Sequence, residues 1–313
     1  MPENHIGRFA PSPSGRMHLG NIYAALMSYA SVKKRGGQWL LRIEDLDRSR
    51  SHREFADQII DDLLWLGLVP DLGASTTADD RQFYQSNRDD IYEKFFEILR
   101  AQDIVYECFC RRNELNVASA PHASDGHAIY GGTCRMLSEQ RRAELQQERT
   151  PCWRLRLPDE VDCFEDELFG TQRANLLRDR GDFIIRRADG NFAYNLAVVV
   201  DDALMGVSEV VRGCDLLTVS HEQRFLCRCL GFEAPHYCHI PLLLSPDGRR
   251  LSKRDKSLAM DVLRRNHTPE QIIGIIAHII GIQATPNALS LSEFVQSFDI
   301  HKIEKTEGIV VDG

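Results

Sequence analysis

The chain has 313 residues, 43% of them hydrophobic, enough to bury a sizeable core and to form about two domains. A net charge of −8 and a pI of about 5.8 argue against a protein that coats nucleic acid through its overall field. No apolar run approaches the roughly 18 residues of a membrane span, and nine cysteines without a visible secretory leader point to reduced thiols or a metal site in a cytoplasmic protein. Residues 8 to 10 predict a short strand, which opens the stretch RFAPSPSGRMHLGN at residues 8 to 21. Pro11 and Pro13 fix φ and remove two amide donors, whereas Gly15 and Gly20 allow close approach or unusual dihedrals. The run from 19 to 34 is apolar and alanine-rich at helical spacing, so His18 and Gly20 sit at a helix N-terminus. Free amides and the helix dipole favour a phosphate there.

Residues 38 to 43 read as a buried strand, completing the strand–helix–strand opening of a parallel α/β unit. Amphipathic helices are expected at 52 to 66 and 87 to 101. Near residue 105 cysteines, paired arginines and the loose stretch ASAPHASDGHA replace that pattern. From Trp153 strands are expected at WRLRL, DFIIRR and NFAYNLAVVV, the last two joined by an Asp189-Gly190 hairpin turn. A strand at SEVVRG, a helix over 216 to 230, the apolar run IPLLL and a turn at SPDGRR precede LSKRD. From Ser257 the chain reads as helical, with Ile272, Ile275, Ile276 and Ile279 on one face. The arginine pairs at 111–112, 141–142, 186–187 and 249–250 are local basic candidates, each read first as solvated surface.

Three separated motifs, HLGN, IEDLD and RLSKR, resemble the signatures of class I aminoacyl-tRNA synthetases of the glutamyl branch. HLGN is similar to that class's HIGH motif and RLSKR to its KMSKS loop, while RFAPSPSG and RIEDLD resemble the glutamyl forms of the first loop and second strand. The resemblance covers nearly the whole chain. It implies a Rossmann-like α/β catalytic core split by a zinc-containing insertion, with a short helical tail similar to a stem-contact region. The corresponding division is 1–104 and 191–256 for the two halves of the core, 105–190 for the insertion and 257–313 for the tail.

It also implies ATP as substrate, with Mg²⁺ expected, and a site in which His18, Gly20 and Lys253 do the catalytic work and Pro11 joins them in binding ATP. Attack of a carboxylate on the α-phosphate gathers negative charge on phosphate oxygens, so catalysis rests on positioning and pre-placed donors. Asn21 stands where the second histidine of HIGH would be, and it is not expected to be catalytic. The family's glutamate site maps onto Arg8, Ser12, Glu44, Tyr194 and Arg212. Arg8 and Arg212 are candidate carboxylate forks, Glu44 a partner for the ammonium, and an arginine-lined pocket should favour glutamate over glutamine.

Cys108, Cys110 and Cys134 place three thiols in one short segment and suggest one structural Zn²⁺ held tetrahedrally. Residues alone leave the fourth ligand open among Tyr130, His122, His127 and Cys152. A Cys-x-Cys…Tyr-x3-Cys arrangement resembles the zinc site of shortened glutamyl-type synthetases, which nominates Tyr130. Cys227 and Cys229 lie two apart in a helical pattern and are expected in the core.

The chain stops at Gly313, where a full glutamyl-tRNA synthetase would continue into a helical anticodon-reading half. This shortness resembles the glutamyl-queuosine tRNA(Asp) synthetases, which activate L-glutamate with ATP without tRNA and then glutamylate queuosine in the anticodon loop of tRNA(Asp). The expected partners are therefore L-glutamate, ATP and queuosine-bearing tRNA(Asp), with a monomer and no membrane association. Two rivals are a reduced glutamyl-tRNA synthetase charging tRNA(Glu) and a non-catalytic synthetase-like amino-acid sensor or scaffold. A generic nucleotidyltransferase on the same core is a third.

Overall fold

The computed structural model describes residues 5–75, 78–111, 129–251 and 256–311. Strand β1 (Ile6–Phe9) is buried along its length and leads through the proline-containing loop into helix α1 (Leu19–Lys34). Strand β2 (Gln38–Leu41) then pairs parallel with β1, from Ile6↔Gln38 to Phe9↔Leu41. A Cβ on Gly7 would lie 2.4 Å from Val32 Cγ2, so glycine lets α1 settle against the sheet. Helices α2 (Arg53–Trp65) and α3 (Asp89–Ala101) lie where their apolar spacing predicts, on either side of the short strand β3 (Leu72–Gly73).

Strand β4 (Val105–Cys108), helix α4 (Glu139–Glu148) and strand β5 (Cys152–Leu155) follow, then the hairpin β6 (Val161–Asp166) and β7 (Gly170–Asn175), and strand β8 (Phe183–Arg186). Strands β4, β5 and β8 form a small antiparallel sheet. The β6–β7 hairpin falls within 105–190 yet extends the main sheet. Its burial alternates, with Asp162, Phe164 and Asp166 inward. Two of those inward residues are aspartates, so hydrophobic alternation could not announce the strand.

One expected strand is a helix. NFAYNLAVVV turns at Asp189-Gly190 and makes one antiparallel bridge, Arg186↔Phe192, but α5 (Tyr194–Leu204) then begins. Leu196 through Asp202 are all buried in it. A helix buried on nearly every side reads as a continuous apolar run, which periodicity cannot distinguish from a buried strand. Strand β9 (Glu209–Gly213), helix α6 (Val219–Leu230) and strands β10 (His236–Ile240) and β11 (Leu242–Leu244) complete the α/β pattern.

The main sheet has the order β3-β2-β1-β9-β10-β6-β7, parallel except for the terminal β6–β7 pair. The tail contains α7 (Met260–Asn266), α8 (Pro269–Ile279) and α9 (Leu291–Ser297). In α8 the buried face centres on Ile272, Ile273 and Ile276, and Ile275 and Ile279 are half-buried, a rotation from the expected stripe. The tail ends in β12 (Gly308–Val310), a strand that pairs parallel with β11 and that the sequence did not announce. Residues from α1, the sheet and α7 to α9 share one large hydrophobic core. Among the described residues no helix is long and apolar enough to cross a membrane.

Candidate active site

Strand order reverses between β1 and β9: β2 and β3 lie to one side, β10 and the hairpin to the other. In an open parallel sheet such a reversal leaves a crevice beyond the carboxyl ends of the strands. A cleft of about 530 Å³ opens there. Pro11, Ser12 and His18 line it from the loop after β1, Glu44 from beyond β2, and Tyr194 from the start of α5. Arg8 and Arg212 complete the wall from β1 and β9. The structure thus brings seven of the expected site residues to one cavity. Tyr194 also borders cavities of about 420 Å³ toward Tyr130 and about 370 Å³ toward Arg50 and Arg187.

The proline loop is tied down by its own carbonyls: Pro11 O accepts from Glu44 N (3.0 Å) and Pro13 O from His52 N (3.0 Å). His18 is the N-cap of α1. Its Nδ1 accepts from Gly20 N at 3.1 Å, and its backbone N donates to Asn21 Oδ1 at 3.1 Å. This reciprocal capping box gives Asn21 a structural task at the third helical position. With Nδ1 accepting, the neutral ring carries its proton on Nε2, a donor for phosphate. A Cβ at Gly20 would come within 3.1 Å of the His18 ring, so this glycine first makes room for the imidazole. Gly20 itself lines a smaller adjoining cavity of about 70 Å³, with His18, Gly213 and Leu251.

Lys253 lies outside the described residues. Both flanks of its segment are anchored near the site: Leu251 N donates to Leu243 O (3.1 Å) and Met260 N to Met17 O (2.9 Å). Ala259 also bridges His18. Between Ser245 and Arg249 the chain makes the expected tight turn, and Arg250 pairs with Asp215 at the cleft wall.

The cleft's charges form a network that the sequence alone did not join up. Arg42 is fully buried and contacts Asp202 (2.6 Å) and Glu44 (3.1 Å), with Asp201 at 3.8 Å. Asp201 in turn accepts from Gln85, Arg88 and Tyr92. Asp202 faces Arg8 Nε at 3.6 Å. Burial works against the Asp202 carboxylate, but Arg42 and Arg8 hold it below the usual range. Burial raises Glu44 despite Arg42 and Arg8, so a further cation beside it would be welcome. Burial, with Glu44 adding, likewise raises the Tyr194 phenol and keeps it a neutral donor.

Arg212 donates from Nε to His239 Nε2 (3.0 Å) and from Nη2 to Ser220 Oγ (2.9 Å), while its buried Nη1 has no hydrogen-bond partner among the described residues. His239, Asp166 and Asp202 are the contributors that sequence reasoning missed, while Arg42 was read only as a surface partner for Glu44 and is instead fully buried. The Asp201-Asp202 pair closing an apolar run was the available signal, since a carboxylate there needs a cation.

The cysteines gather elsewhere, at the end of β4. Cys108, Cys110 and Cys134 Sγ atoms all lie within 4.8 Å of one another. The Tyr130 hydroxyl is 3.5 Å from Cys108 Sγ and 3.6 Å from Cys110 Sγ, and Cys110 and Cys134 Sγ are 3.5 Å apart. A tetrahedron with Zn–S bonds near 2.3 Å has edges of about 3.8 Å, so this donor set suits Zn²⁺. Arg154 stacks 3.8 Å from the Tyr130 ring centroid and would stabilise a phenolate. Cys152, opposite Cys108, donates to Cys108 O instead (3.4 Å), and His122 and His127 lie outside the described residues. Cys227 is buried and Cys229 packs against the same core, as expected.

A family model described as tRNA synthetases class I (E and Q), catalytic domain, matches residues 6–311. A glutamyl-Q tRNA(Asp) synthetase of Symbiobacterium thermophilum is 44% identical over 304 residues, covering 96% of this chain and 94% of that protein. Glutamate--tRNA ligase 2 of Alkalilimnicola ehrlichii is 42% identical over 89% of this chain and 59% of its own length. A solved glutamate tRNA ligase of Elizabethkingia meningosepticum, in complex with its amino acid, superposes with a TM-score of 0.79 at 28% identity, over 98% of this chain and 67% of that one. By sequence and by fold, this chain belongs to the class I tRNA synthetases (E and Q), within their glutamyl-Q tRNA(Asp) synthetase branch.

Proposed function

We propose that this protein activates L-glutamate with ATP to glutamyl-adenylate without tRNA, then transfers the glutamyl group to queuosine in the anticodon loop of tRNA(Asp). The observation that carries the reading is the meeting of Arg8, Arg212, Glu44, Tyr194 and His18 at one switch-point cleft. Two cationic forks suit a substrate with two carboxylates, and Glu44 suits its ammonium. In the adenylation step a carboxylate oxygen of glutamate attacks the α-phosphorus of ATP and the bond to pyrophosphate breaks. His18 Nε2–H, Gly20 and Pro11 line the nucleotide side, and Lys253 follows the departing pyrophosphate. Ser12 and Tyr194 close the amino-acid side. In the second step a hydroxyl of the queuosine cyclopentenediol attacks the acyl carbon and AMP leaves. The cavities meeting at Tyr194 give that nucleoside room to approach.

Mg²⁺ would accompany ATP and offset phosphate charge. Zn²⁺ would be held by Cys108, Cys110, Cys134 and Tyr130, where it supplies a structural cross-link. Residues 1–104 and 191–256 act as the catalytic core, 105–190 as the acceptor-side insertion and 257–313 as the tail.

Glutamate-dependent ATP–pyrophosphate exchange without tRNA tests the first step, with glutamine and aspartate as controls. Exchange with glutamate alone is expected, and His18→Ala should lower its rate about 10²- to 10³-fold, the usual loss for one aimed donor. Labelled glutamate should then appear on the anticodon loop of queuosine-containing tRNA(Asp). Label on the 3′ end of tRNA(Glu) would favour the reduced glutamyl-tRNA synthetase, and no exchange from pure metallated protein would favour the sensor.

A further inference from the structure

Arg212 has five N–H donors, and the structure uses those behind it to aim the ones in front. Nε donates to His239 Nε2 at 3.0 Å, and Nη2 donates to Ser220 Oγ at 2.9 Å and Leu216 O at 3.3 Å. Nη1 keeps no partner among the described residues, and Arg212 lines the cleft. An arginine Nε always carries its hydrogen, so His239 Nε2 must be bare and the ring proton must sit on Nδ1. Nδ1 faces Asp166 Oδ2 at 2.6 Å, and both side chains are completely buried.

Asp166 is itself held on three sides. Its Oδ1 accepts from Leu168 N (3.2 Å) and Phe169 N (2.9 Å) in the β6–β7 turn, and Oδ2 accepts from His239 N (3.0 Å). Tyr237 stacks on the His239 ring at 5.9 Å and also lies under the Arg212 guanidinium. A buried aspartate–histidine pair is weak evidence of a stability device, since apolar residues of like volume often fold as well. Its chain of hydrogen bonds ends on a guanidinium that faces the cleft.

We propose that Asp166 and His239 are positioning residues: they lock Arg212 in the one orientation that presents Nη1 to a carboxylate of bound glutamate. The β6–β7 hairpin thereby sets the affinity for the amino acid without touching it. The inference rests on Arg212 being a glutamate fork, as read above. The relay acts on amino-acid binding and leaves the ATP side alone. It also sharpens selectivity, because a Nη1 fixed in place and buried is left uncompensated by the neutral amide of glutamine.

The experiment measures kcat and separate KM values for glutamate and ATP by pyrophosphate exchange in Arg212→Ala, His239→Leu, His239→Gln and Asp166→Asn. Thermal unfolding and zinc content are followed in each. His239→Leu removes the acceptor for Arg212 and should raise KM for glutamate about 10- to 100-fold, the usual scale for one hydrogen bond to a charged group. KM for ATP should stay within about twofold. His239→Gln can accept from Arg212 and donate to Asp166 together, so it should restore most of the loss. Asp166→Asn no longer dictates the tautomer and should fall between them.

Glutamate KM unchanged in folded His239→Leu, both KM values rising together, or His239→Gln failing as badly as His239→Leu would overturn the relay. Should His239→Leu not fold, Asp166→Asn decides by the same split. An unchanged glutamate KM in Arg212→Ala would instead refute the reading of Arg212 on which the relay depends.

Discussion

The switch-point cleft and the cysteine cluster both assemble buried polar groups, yet they are held in opposite ways. In the cleft the decisive contacts join residues far apart in the chain: Arg42 to Asp202 spans 160 positions, Gln85 to Asp201 spans 116 and His239 to Asp166 spans 73. In the cluster Cys108 and Tyr130 are 22 apart and Cys110 and Cys134 are 24 apart. The cleft leans on the largest hydrophobic core, whereas the cluster's own buried set is Tyr106, Cys108, Phe109, Tyr130, Cys134 and Leu145. So few apolar side chains supply little burial of their own, and a metal bound there would be the natural supplement. The lesson is that the cleft's geometry is a property of the whole sheet. The cluster's is a property of a short segment.

The strongest way to break this comparison is to remove one charge behind the cleft. Asp202→Ala leaves Arg8 and Arg42 short of a buried counter-charge and should destabilise the fold by about 3–5 kcal/mol, measured by denaturant unfolding. A loss below about 1 kcal/mol would mean that Asp201 and Glu44 suffice. A smaller and more local effect is expected at the cluster. Cys134→Ser should abolish stoichiometric zinc by elemental analysis and open β4, α4 and β5 beside the cluster to limited proteolysis. The main unfolding transition should move less than in Asp202→Ala. Zinc retained in Cys134→Ser would show that the ligand set is wrong.

The gentlest probe is pH. Burial lowers His239 from its ordinary 6.5 to about 4, with Arg212 and Arg8 adding to the effect and the Asp166 hydrogen bond opposing it. Asp166 from β6, Arg212 from β9, Ser220 from α6 and Tyr237 from β10 are the polar groups facing the ring. Below pH 6.5 the unfolded chain takes up a proton that the folded ring refuses until about 4. Stability therefore falls as pH drops through that window and is flat for this group above it. His239→Gln should remove that part of the slope. An unchanged slope in a pH series of unfolding curves would show that His239 does not carry it.

Local signals served the helix starts and the turns. His18 at the head of an apolar 3.6-residue pattern marked the start of α1, because capping and periodicity are both local. The sequence also brought HLGN, IEDLD and RLSKR into one site by resemblance, and His18, Gly20, Asn21, Glu44, Arg250 and Leu251 from those motifs line one cleft or its neighbour. It failed at NFAYNLAVVV, where valines favour a strand by propensity but α3 and α6 surround a helix. It failed again at β6, where the side-chain partners of the two inward aspartates, His221 for Asp162 and His239 for Asp166, come from α6 and β10.

What the sequence determined by itself is the inventory: the capped helix after a proline-rich loop, the arginines and carboxylates, the thiols, and the alternation of strands and helices. These follow from dihedral restriction, charge and spacing, all written within a few residues. Tertiary structure alone decided which charges face one another. Arg212 aims at the cleft because His239 and Asp166 sit behind it, and Arg42 is tolerable because Asp202 arrives from α5 to join the neighbouring Glu44. A buried charge is stable only beside its partner. That partner is chosen by the order of strands in the sheet, which no local stretch of sequence records.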